Sequence, residues 1–262
     1  MGAIRLDGLA KRLLSGGLSA LTVKVASAGL SYLMLVVIAR AMPASEYGRF
    51  AFGFSLATTL SLLFSFGLPV AVLRFWPEYR VKRRGALARS FVARSFSFVS
   101  VGSVVSAVVF VLASVAVMSG QPGYGYAYFG AIAGLVVLMA VSEFVASALR
   151  ADGLIVRALA PRDVLWRVIV IAACVIVAAR MADFDAQIAL LLAAACLAGV
   201  LVPQTVYAVK RLGIGAADFS GETRSDEWRA STWPMWGSAI LFGLVQQFDV
   251  VLLGFFLSPE ET

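Results

Sequence analysis

A few polar side chains interrupt an otherwise apolar chain, and their types define the chemistry open to it. Lys24 lies about seven residues inside the first long apolar stretch, which begins near Gly17 and contains no acidic residue. An ammonium at that depth costs roughly 2.5–3.5 kcal/mol on insertion scales, so it must face protein, water or a ligand. Glu143 stands about six residues from the end of a later stretch, at comparable depth for a 1.5 Å rise per residue. The spacing leaves two readings open: a Lys24–Glu143 ion pair that only ties helices together, or a ligand-facing Lys24 that Glu143 modulates. Arg40 and Arg74 sit at opposite ends of the first two stretches, where long cationic side chains commonly snorkel to lipid head groups. Gln246 and Asp249 share one face of the last stretch, one turn apart. That stripe could meet a cation, bind a coupling ion or touch hydroxyls. The chain has no His, which removes the commonest general base and metal ligand.

The elements that position these residues are membrane helices. The 262 residues are 61% hydrophobic and 14% charged, with a mean hydropathy of +0.90, far from the composition of soluble domains. Seven segments are long enough to span: 17–41, 50–73, 95–118, 124–149, 164–179, 186–209 and 233–257. They lack the alternation of barrel strands, so helices must satisfy their backbone. With the N-terminus placed in the cytoplasm, eighteen of the 22 basic residues fall on the inner side. Only Arg40, Arg49 and Arg180 fall outside, and Lys24 lies within a span. Trp76, Trp166, Trp228, Trp233 and Trp236 are expected at the inner interface, and Tyr124, Tyr126 and Tyr128 at the outer one.

The net charge of +7 follows this topology instead of forming a groove interleaved with stacking aromatics, so no nucleic-acid partner is expected. Cys174 and Cys196 fall inside spans and read as packing residues, not as a disulfide or metal site. The inner loops near 74–94, 150–163 and 210–232 are too short to form a catalytic domain. A cleaved signal peptide ending at Ala39-Arg40-Ala41 is disfavoured by its long apolar run and by Arg40. Small residues such as Gly53, Gly102, Gly130 and Gly134 either let helices approach closely or line a polar cavity. Pro69 and Pro203 are expected to bend the second and sixth spans. Asp183-Phe184-Asp185 reads as a solvated outer turn rather than a nucleotide-sugar metal motif.

Longer strings carry a family likeness. Ile38-Ala39-Arg40-Ala41-Met42-Pro43-Ala44-Ser45-Glu46-Tyr47-Gly48-Arg49-Phe50 resembles the opening signature of bacterial polysaccharide-export flippases. Gly67-Leu68-Pro69, Leu73-Arg74-Phe75 and Pro77-Glu78-Tyr79-Arg80 resemble the next one. Gln247-Phe248-Asp249 through Leu257-Ser258-Pro259-Glu260-Glu261 resembles the first helix of that family's second lobe and echoes the end of the first span. The likeness covers roughly the first eighty and last thirty residues, and the middle by span count. The family it resembles belongs to the superfamily of multidrug, oligosaccharidyl-lipid and polysaccharide exporters.

The implied fold is an all-α transmembrane, MATE-like one. Residues 1–210 would form a six-helix N-terminal lobe and 211–232 a cytoplasmic linker, with 233–262 as the first helix of a truncated second lobe. The implied activity is alternating-access translocation of a polyprenyl-pyrophosphate-linked oligosaccharide across the inner (cytoplasmic) membrane, without cofactor or covalent chemistry. Membrane lipids and other polysaccharide-assembly proteins are the expected partners. For such a substrate, Lys24 becomes the candidate pyrophosphate ligand and Arg74 a loading residue at the inner mouth. Arg40, Glu143, Gln246 and Asp249 are the remaining polar elements of a cleft built from spans one, two, four and seven. A multidrug exporter, an inactive fragment and a membrane glycosyltransferase or polymerase are the alternatives.

Overall fold

The computed structural model describes residues 3–118, 124–181, 183–219 and 224–256, with side chains described from 17 to 241 apart from 19, 20 and 225 within those ranges. The described chain is helical, without a strand among the described residues. Four helices are each long and apolar enough to cross a bilayer: α1 (Ala3–Ala41, through its part Leu21–Ala41), α4 (Gly85–Met118), α5 (Tyr126–Ala151) and α8 (Ala186–Leu212). A fifth crossing is a bent pair, α2 (Ala44–Leu63) and α3 (Leu68–Val81), which meet at 41°.

α5 is the hub. Its apolar residues run round all its faces, the pattern of a helix enclosed by others, and it contributes to three clusters of buried side chains. Toward one end, which carries Glu46 and Tyr128, Ile132 and Leu135 of α5 pack with Phe50, Ile38 and Leu190. Toward the other, which carries Trp228, Phe144 packs with Phe75, Phe91 and Trp76. Small residues behave in two ways. A Cβ on Gly53 would lie 2.9 Å from Leu190 and Tyr128 side-chain atoms, so this glycine lets α2 approach α5 and α8. Gly130 and Gly134 face open space.

Three expectations need correction. The second span does not bend at Pro69, which occupies the first turn of α3, a position where its missing N–H is harmless. The break is at Phe64–Gly67, with Phe66 at φ 53° and Gly67 at φ 68°. Trp236 sets it: its Nε1 donates to the Leu63 carbonyl at 2.8 Å, and its backbone would lie 2.7 Å from any Cβ on Gly67. The fifth span does not start near residue 164. α6 (Ile155–Ala160) runs through a π-helical turn (Pro161–Leu165) into α7 (Trp166–Ala178). At 1.5 Å per residue, this continuous element is long enough to cross roughly 30 Å of hydrocarbon. Trp166 lies buried inside the bundle, its Nε1 donating at 2.9 Å to the Ala193 carbonyl about two turns into α8. The last helix, α9 (Ser225–Phe256), takes up the last eight residues of the expected linker and packs against α2 and α3.

Candidate functional site

The π turn is the centre of the charged interior. Pro161 has no N–H to give to the preceding helix, and the wider turn frees carbonyls that an α-helix would use. Gln204, buried on α8, repairs this: its Nε2 donates to the carbonyls of Arg157 and Ala158 at 3.3 and 2.9 Å. Held in this way, the turn presents Arg162 and Asp163 to the bundle.

Lys24 does not pair with Glu143. Its Nζ donates to Asp163 Oδ2 at 2.9 Å, and α1 packs along α6, the π turn and α7 to bring it there. Glu143 is taken by two guanidinium groups instead. Arg150 Nη2 donates to its Oε1 at 2.7 Å and also to Ser147 Oγ at 2.6 Å, while Arg162 Nη1 bonds Oε2. Lys24 acts on Glu143 only across space. Arg167, one turn beyond Asp163, lies 3.9 Å from its Oδ1 and donates to its backbone carbonyl. Four cations thus surround two carboxylates, leaving a surplus of positive charge round the π turn. Exposure is uneven among them: the Lys24 side chain is 61% accessible and that of Asp163 only 7%.

The other expected site residues are dispersed. Arg74 sits on α3 with its guanidinium over the Phe75 ring and 3.9 Å from Glu78, half exposed and away from the cluster. Arg40 is exposed in the last turn of α1. Gln246 and Asp249 lie on α9, but their side chains are outside the described residues, as is the terminal segment from Leu257. Asp183 is exposed and Asp185 caps α8 by accepting from Ile188 N at 2.8 Å, in keeping with a solvated turn. No group of metal-ligating side chains occurs among the described residues. A cavity of about 450 Å³ between α3, α4 and α9 is walled mainly by aromatic rings such as Phe91, Phe98 and Trp233.

The opening signature has a structural use. Glu46 Oε1 accepts from Arg49 at 2.7 Å, and its Oε2 accepts from Ala186 N at 3.0 Å, where it meets the positive end of α8. Arg49 stacks over Tyr124 and Tyr128, and the Tyr128 hydroxyl donates to the Arg49 carbonyl at 2.6 Å. The second signature seats α9: Tyr79 Oη accepts from Trp228 Nε1 at 2.8 Å, beside the Gly67–Trp236 approach.

Asp163 was missed in the sequence because it appeared to end an inner loop. Pro161 two residues earlier, with Trp166 just beyond, was the available sign of a perturbed helix.

Helices of this length and apolarity, packed round a central one, make the chain a multi-pass membrane protein. Residues 13–262 match the family model described as polysaccharide biosynthesis protein, and the chain belongs to that family. The match agrees with the likeness in its two signatures to polysaccharide-export proteins. No curated protein and no solved structure matches the chain.

Proposed function

We propose that this chain serves in a flippase that moves a polyprenyl-diphosphate-linked oligosaccharide from the cytoplasmic to the outer leaflet of the inner membrane. The observation that carries the reading is the surplus of positive charge round the π turn, with Lys24 its most accessible member. A diphosphate head group is multiply anionic, and an electrostatic partner inside an apolar bundle acts with far less screening than in water. The glycan needs a wet path, while the polyprenyl tail can stay in lipid. Translocation of this kind makes and breaks no covalent bond.

In this reading the N-terminus and the Arg150 end of α5 are cytoplasmic, so Lys24 meets the head group in the inner half of the membrane. Arg74 would collect substrate at the inner mouth, and Arg40, Gln246 and Asp249 would contribute polar contacts along the cleft between this lobe and α9. Exporters of organic cations need an acidic or aromatic cleft, and the excess of guanidinium and ammonium groups disfavours them.

Export in cells tests the reading. In cells that depend on this protein for export, Lys24→Ala is expected to abolish surface polysaccharide and accumulate lipid-linked oligosaccharide inside. Lys24→Arg should retain part of the export. Normal export by a stably inserted Lys24→Ala protein would sink the role of Lys24.

A further inference from the structure

We propose that Asp163 is a specificity-determining residue: an internal competitor for Lys24 that turns away singly charged phospholipid head groups and yields to a diphosphate. The inference rests on the reading of Lys24 as the head-group cation. It starts from an asymmetry within one ion pair. The Lys24 ammonium is open to a ligand, but the carboxylate that holds it is buried and fixed. Asp163 belongs to a turn whose freed carbonyls are tied to Gln204, and its own carbonyl accepts from Arg167. It cannot follow Lys24 outward. An incoming anion must therefore match what Asp163 already supplies.

A phosphodiester with one charge only exchanges one anion for another. It returns Asp163 to the weaker company of Arg167 at 3.9 Å, so little is gained. A diphosphate carries further charge that the surplus cations can stabilise. The groups facing the exchange are Lys24 on α1, Glu143 and Arg150 on α5, Arg162 on the π turn, and Arg167 on α7. A built-in rival lowers the apparent affinity of every anion at Lys24 by the same factor, so a singly charged head group drops below the affinity it needs for occupancy while a diphosphate stays above it. A bilayer rich in anionic phospholipid makes such a filter necessary, since a bare Lys24 would be occupied permanently.

The test is equilibrium binding to the purified full chain in neutral detergent, with farnesyl diphosphate and short-chain phosphatidylglycerol as probes. The wild-type protein is expected to prefer farnesyl diphosphate. Asp163→Asn should bind phosphatidylglycerol roughly tenfold more tightly, because the apparent affinity scales with the fraction of Lys24 that is free. Asp163→Glu, which keeps the carboxylate, should retain the weak wild-type affinity for phosphatidylglycerol. Equal affinity of the wild-type protein for the two probes would overturn the proposal without recourse to any variant. So would an unchanged affinity for phosphatidylglycerol in a folded Asp163→Asn protein, and if Lys24→Ala still abolished diphosphate binding, the role of Lys24 would survive. Loss of neither probe on Lys24→Ala would instead remove the reading on which the inference stands.

Discussion

Two regions of the bundle, the Glu46 end and the π turn, both hold charge against apolar surroundings, and they do so in opposite ways. At the Glu46 end, one carboxylate meets one guanidinium and the start of α8, and two tyrosine rings close over the arginine. Charges balance, and Ala186 and Tyr128 donate to this part of α2 from neighbouring helices. At the π turn, four cations share two carboxylates, a helix is locally unwound, and the most exposed member is an ammonium held by a single buried oxygen. The first arrangement locks helices. The second is left able to exchange a partner, as expected where a π turn marks a functional region.

The largest expected effect breaks the comparison on the charged side. Glu143→Ala strands two part-buried guanidinium groups at once. Removal of one partner from a fully buried pair costs about 3–5 kcal/mol, so a loss near the lower end of that range is expected. Denaturant titration in detergent should show a loss of that size. A smaller effect sharpens the comparison from the other side. Tyr128→Phe removes one hydroxyl from a buried ring and leaves the Arg49 carbonyl without that donor, a loss of about 1–2 kcal/mol. Thermal unfolding should detect it, while export through the intact π-turn cluster should be unaffected.

The contrast also explains what could be read from the sequence. The helical, multi-pass fold follows from hydropathy and run length, which act locally. Lys24 and Glu143 stood out because a charge inside an apolar run is costly wherever it occurs. Their pairing was not legible. It depends on the helix continuing through Pro161, where the side chain of Gln204, from another helix, takes up the carbonyls of Arg157 and Ala158. That continuation turns Asp163 from a loop residue into an interior ligand for Lys24 and brings Arg162 to Glu143. The break at Phe64–Gly67 was hidden for the same reason: Trp236, far along the chain, sets it. Glu46 and Arg49 were visible as a family signature, but their use as a clamp on α8 requires the folded neighbours.

The most direct measurement of the central claim follows the phosphorus nuclei of farnesyl diphosphate by NMR as protein is added. Wild-type protein and Tyr128→Phe should broaden and shift the signals alike, since both keep the charged cluster, and Lys24→Ala should leave them close to those of the free probe. Equal perturbation by Lys24→Ala and wild type would contradict the account, because the anion would then be held somewhere other than the π-turn cluster.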